Sequence, residues 1–73
     1  MYGQRIRELR MEKGWSQLEL GKKMNCGQRT ISRYELETAD LSTSVLIAFC
    51  HLFEVSADYI LGIEDETGAK KYR

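Results

Sequence analysis

Apolar residues in this chain recur three and four positions apart, the period of a helix with one buried face, and alternation of the strand type is weak throughout. Tyr2, Ile6 and Leu9 mark a first helix, and Gly14 follows as the left-handed residue that commonly closes a helix end. Ser16, with Glu19 three residues later, spells a capping box for a second helix, and Trp15 and Leu20 stand at the spacing of a hydrophobic staple across that cap. Leu20 and Met24 continue its inner face, and Asn25 suits a left-handed turn after it. A third helix is predicted from Gln28 to Glu35, with Cys26 and Ile31 at staple spacing and Ile31 and Tyr34 facing inward. Its cap, Gly27, is weaker than Ser or Thr. Ser42 caps a fourth helix whose inner stripe is Leu46, Phe49, Cys50 and Phe53, and Ser56 caps a short fifth that Gly62 ends. Leu41 with Leu46, and Val55 with Ile60, repeat the staple spacing.

These signals predict an all-α chain of five short helices, none long enough to be stable alone. Their inner faces must therefore pack into one core, giving one domain over residues 1–63 and a polar tail over 64–73. The connection between the second and third helices, Asn25 to Gly27, has the length of a helix-turn-helix turn.

The third helix then acquires chemical meaning. Gln28, Arg29, Ser32 and Arg33 fall on the face opposite Ile31 and Tyr34. Arg pairs with guanine O6 and N7 in a bidentate fork, and Gln does the same with adenine N6 and N7, so this strip suits major-groove reading. Ser16 and Gln17 begin the second helix, where free backbone N–H groups attract phosphate.

The run from Ser16 to Glu35, SQLELGKKMNCGQRTISRYE, resembles the phage repressor and Cro-like (XRE-type) helix-turn-helix family. Ile6 to Arg10 followed by Lys13 to Gln17, and the closing segment Phe53 to Gly62, resemble the same family in order and spacing. The resemblance implies a compact lambda-repressor-like five-helix domain that binds a palindromic double-stranded DNA operator as a homodimer. It places base reading on Gln28, Arg29, Ser32 and Arg33, phosphate contacts on Gln17, Ser16, Arg10 and Thr30, and a structural ion pair between Arg10 and Glu35. Three departures stand out. Gly21 takes a place where the family prefers Ala, Gly27 replaces a Ser or Thr, and the loop from Leu36 to Thr43 carries Glu37 and Asp40 where relatives bring basic residues.

Composition narrows the alternatives. Seventy-three residues exclude a multidomain enzyme, and the chain has no P-loop and no nucleophile–base–orienter spacing. Cys26, Cys50 and His51 are too few to build a structural zinc site, so no metal or other cofactor and no small-molecule substrate is expected. The two cysteines read as small buried hydrophobes, Trp15 as a staple or core residue and His51 as a helix-surface residue. No apolar run reaches the ~18 residues of a membrane span, and the charged N-terminus lacks a signal-peptide core, so a cytoplasmic protein is expected.

The net charge is zero, which by itself argues against a nucleic-acid partner. It is a cancellation. Residues 1–35 hold eight Lys and Arg against four Asp and Glu, residues 36–69 hold seven acids and no base, and three bases follow. The basic half carries the helix-turn-helix. Two other roles fit the same chain: an antitoxin or controller that represses its own operon, and a protein-interaction module that has lost DNA binding. Leu18, Leu36 and Ile47 are candidates for an exposed apolar patch, and Leu36 to Leu41 and Tyr59 to Ile63 for a dimer interface.

Overall fold

A computed structural model describes residues 2–63. Five helices follow in order: α1 (Tyr2–Glu12), α2 (Gln17–Lys23), α3 (Gln28–Glu35), α4 (Thr43–Phe53) and α5 (Ala57–Leu61). The polar tail expected over 64–73 lies outside the described residues. The Ser16 capping box is complete: its hydroxyl oxygen accepts from the Glu19 N–H at 3.0 Å, and its own N–H donates to Glu19 Oε1 at 2.9 Å. Hydrogen bonding to the Ser16 backbone N–H, and then to the Ser16 side chain, holds the Glu19 carboxyl below its ordinary pKa. Ser42 and Ser56 cap α4 and α5 in the same way, each accepting from the N–H three residues on. Gly27 caps α3 through its backbone alone.

Each short helix contributes one or two large side chains to a single core of Ile6, Leu9, Leu20, Ile31, Phe49, Phe53, Tyr59 and Ile60. The staple residues Trp15, Cys26, Leu41 and Val55 pack against it from outside, as do Tyr34, Leu46 and Cys50. Aromatic rings run through it in a row. Trp15 meets Phe53 at 5.9 Å, Phe53 stacks on Phe49 at 6.1 Å, and Phe49 meets the edge of Tyr34 at 5.9 Å. These are the offset and edge-on separations that ring quadrupoles favour. The row ties the turn before α2 to α4 and then to α3. Cys26 and Cys50 are free thiols, half-buried, and burial pushes both upward in pKa, away from reactive thiolate.

The expected left-handed turns are in place at Gly14, Asn25 and Gly62. Two more fall on residues with no local signal for them: Glu37 at φ 59° and Glu54 at φ 57°. Glu54 ends α4, its N–H bonded to the Cys50 carbonyl. Glu37 sits just past α3 and reaches back across the chain, its Oε2 accepting from the Gly3 N–H at 3.2 Å. Beside it the Tyr2 hydroxyl donates to the Ala39 carbonyl at 2.9 Å. Burial, and then the Glu37 and Asp40 charges, raise the Tyr2 pKa and keep the phenol a donor.

This seam leaves no space at Gly3, where an added Cβ falls onto the Glu35 carbonyl oxygen. The first turn of α1 thus rests backbone to backbone on the end of α3. Gly21 is similar. It is buried, and a Cβ there lies 2.7 Å from the Cys26 carbonyl oxygen, so a glycine that weakens α2 by propensity lets the turn close over it. Gly3→Ala is expected to overpack the seam and cost about 1–3 kcal/mol in denaturant unfolding. An unchanged midpoint would show that α1 does not sit this closely on α3.

Candidate nucleic-acid interface

The third helix is held by its inner side. Ile31 is fully buried, Tyr34 packs on the core, and Glu35 is turned inward. Helical geometry then leaves Gln28, Arg29 and Arg33 exposed and Ser32 half-exposed, along one strip. Neither Arg29 nor Arg33 has a side-chain partner among the described residues, so both guanidinium forks are available.

Behind that strip lies a polar knot. Arg10 Nε donates to Glu35 Oε2 at 2.6 Å, Nη2 donates to Oε1 at 3.2 Å, and Nη1 donates to the Trp15 carbonyl at 2.8 Å. The Gln17 amide adds a fourth donor, to Glu35 Oε1 at 3.2 Å. Only 13% of the Arg10 side chain and 4% of Glu35 meet solvent. A single carboxylate thus gathers α1, the start of α2 and the end of α3.

The ion pair with Glu35 implied for Arg10 is present. The Arg10 guanidinium is bonded on all three nitrogens within the knot and is directed inward. Gln17 is half-buried beside Glu35 at the first position of α2, and Ser16 is exposed at the cap. Thr30, in the first turn of α3, is half-exposed. The sequence does not single out Gln4 and Arg7 of α1, yet with Gln17, Ser32 and Glu35 they line an open groove of about 470 Å³ beside the strip. One signal for Arg7 is legible in retrospect: no acidic residue stands three or four positions from it to take its charge.

The surface elsewhere is less organised. Leu18, Leu36 and Ile47 are exposed, as are Met11, Leu61 and Ile63. Tyr59 and Ile60, within one expected dimer interface, belong instead to the core, and Arg5 covers the Tyr59 ring at 4.5 Å. Lys23 lies over the Trp15 ring at 4.6 Å, and His51 is exposed on α4. Among the described residues no helix is long and apolar enough to cross a membrane.

Two helices joined by a tight turn, the second pinned by its inner face and presenting Gln and Arg outward, define a helix-turn-helix domain of the lambda-repressor-like class. The chain belongs to the XRE-type helix-turn-helix family HTH_3, which matches residues 6–60. That is a family of DNA-binding transcription regulators, not of enzymes. The chain is 38% identical over 68 residues to the HTH-type transcriptional regulator ImmR of Bacillus subtilis, covering 93% of this chain and 53% of ImmR. It is 33% identical over 73 residues to YobD, an uncharacterised HTH-type transcriptional regulator of the same organism, covering all of this chain and 65% of YobD. It therefore spans less than two thirds of each of these curated relatives.

Solved structures agree. The P22 c2 repressor, in complex with a synthetic operator, superposes with a TM-score of 0.80 at 28% identity, over 88% of this chain and 97% of that one. The biofilm regulator SinR, in complex with DNA, superposes with a TM-score of 0.74 at 32% identity, over 84% of this chain and 98% of that one. A SinR/SinI complex also matches, with a TM-score of 0.76 at 30% identity, over 97% of this chain and 70% of the other.

Removing one member of a buried, hydrogen-bonded ion pair leaves the other charge unpaired. Arg10→Met is therefore expected to cost about 3–5 kcal/mol in chemical unfolding. The Arg10→Met, Glu35→Leu double variant is expected to recover much of that loss. A loss below about 1 kcal/mol in the single variant would place the pair with exposed bridges.

Proposed function

We propose that this chain is a sequence-specific double-stranded DNA-binding regulator of transcription, acting as a repressor. The observation that carries this reading is the geometry of α3: an inner face locked by Ile31 and Glu35, and an outer strip of Gln28, Arg29, Ser32 and Arg33 whose guanidinium groups pair with no side chain among the described residues. In this reading the strip enters the major groove and reads bases. Ser16 and Gln17 at the start of α2, and Thr30 in the first turn of α3, approach phosphates, where backbone N–H groups and hydroxyls suit an anion.

One such domain makes few contacts. Two copies on a two-fold symmetric operator, with half-sites about one helical turn apart, supply the affinity, so the working form is a homodimer. Its setting is the cytoplasm, and residues 1–63 form the DNA-binding unit.

A second reading is a protein-interaction module of the same fold. The loop from Leu36 to Thr43 favours it by offering DNA two acids and no base, and SinR, to which the chain is similar, also forms a complex with the protein SinI. Selection of duplexes from a random pool, followed by gel shifts across a salt series, separates the two. DNA binding is expected to weaken steeply as salt rises, through counterion release. Arg29→Ala and Arg33→Ala are each expected to relax base preference and cost about 1–3 kcal/mol per lost bidentate contact. No selected duplex even at low salt favours the interaction module, and full selectivity in both variants removes these residues as readers. Sedimentation with and without the selected duplex tests the dimer.

A further inference from the structure

We propose that Arg7 is an additional phosphate contact of this domain and that Glu37 is the residue that positions it. This rests on the DNA-binding reading above and adds to it a contact from α1, outside the helix-turn-helix itself. Arg7 lies one turn beyond Gly3 on the outer side of α1, in the groove shared with Gln17 of α2 and Ser32 of α3. It is exposed, and no acidic side chain of the described residues pairs with it. Arg10, one turn further along the same helix, is spent on Glu35. Arg7 is thus the α1 cation in that groove whose charge remains for an outside anion.

Two carboxylates also line the groove, and each is already engaged. Glu35 accepts three hydrogen bonds from Arg10 and Gln17. Glu37 is fixed to the Gly3 N–H at the positive end of α1. That second bond does the positioning. Glu37 holds the first turn of α1, Tyr2 holds Ala39, and the bare Gly3 backbone meets the Glu35 carbonyl. The three contacts set the pitch of α1 against the end of the reading helix. Without the Glu37 contact the first turn is free to fray, and the side chain one turn further on loses its fixed reach into the groove. An acid in a loop that meets DNA, at a left-handed position unfavourable to it, thereby serves the contact it would otherwise oppose.

The test uses the full chain and a duplex selected from a random pool, with affinity read by fluorescence anisotropy from low to high salt. Each phosphate contact contributes about 0.9 to the slope of log affinity against log salt. Arg7→Ala is expected to lower that slope by about one contact and to weaken all selected sequences alike, leaving base preference unchanged. Glu37→Ala is expected to lower the slope by a similar amount. Glu37→Gln, whose amide oxygen still accepts from Gly3, keeps the wild-type slope. Adding Glu37→Ala to Arg7→Ala produces no further fall in slope. Circular dichroism melts confirm that each variant is folded at the assay temperature. If Glu37→Ala does not fold, the slopes of Arg7→Ala and Glu37→Gln decide. An unchanged slope in Arg7→Ala, a reduced slope in Glu37→Gln, or additive losses in the double variant would overturn the proposal. Failure of the wild-type chain to bind any selected duplex overturns the DNA-binding reading itself.

Discussion

The Arg10 guanidinium holds three separate parts of the chain through one planar group. Burying a charge is costly, and an ion pair recovers that cost only when nearly every remaining donor and acceptor is used. Here that condition is met. The Glu35 carboxylate accepts from two Arg10 nitrogens and from Gln17, and the third Arg10 nitrogen donates to the Trp15 carbonyl. Among the described residues no buried side-chain polar atom is left without a partner. The pairing gives less in net stability than in direction, because planar forks tolerate little misalignment. It fixes where α3 ends relative to α1 and the start of α2.

That directional role matters because the hydrophobic core cannot supply it alone. Ile31 anchors α3 at one point of its inner face, and an eight-residue helix held at one point is free to rotate. Tyr34 against the edge of Phe49 restricts one sense of rotation, and Glu35 in the knot restricts the other. The orientation of Gln28, Arg29, Ser32 and Arg33 follows from residues that face away from them. In the proposed function this support matters, since bidentate contacts to bases would lose their value when misplaced by about 1 Å.

Much of this architecture is legible in the sequence because each helix announces its own start. Ser16, Ser42 and Ser56 cap through local hydrogen bonds, and their staple residues lie within five positions, so neighbouring letters encode the geometry. Left-handed turns at Gly14, Asn25 and Gly62 are visible for the same reason. The Arg10–Glu35 pair is long-range, and family resemblance rather than spacing pointed to it. Glu37 and Glu54 are illegible because Glu is not a residue that favours positive φ: Glu37 is held by its long-range bond to Gly3, and Glu54 closes α4 through a local bond to the Cys50 carbonyl. Arg10 shows a further limit: the same letter fits a phosphate contact and a buried pair, and the nearness of Glu35 is visible only in the fold. Gly3 reads as a poor helix former until the Glu35 carbonyl is seen against it.

The charge balance takes its meaning from this arrangement. Residues 2–35 carry twice as many bases as acids, and residues 36–63 carry four acids and no base. The bases are not equally available. Arg10 is neutralised by Glu35, Lys23 lies over Trp15 and Arg5 over Tyr59; of the remaining Arg7, Lys13, Lys22, Arg29 and Arg33, Arg7 lies in the groove and Arg29 and Arg33 on the outer strip of α3. A protein with a broad basic field binds DNA of any sequence tightly and gains little from its base contacts by comparison. Here the net charge is zero, and the bases lie in the half of the chain that carries the helix-turn-helix. Weak general attraction with a few directed contacts favours discrimination over affinity. In the proposed homodimer, a second domain on the same operator would supply the hold that one helix with no surplus field lacks.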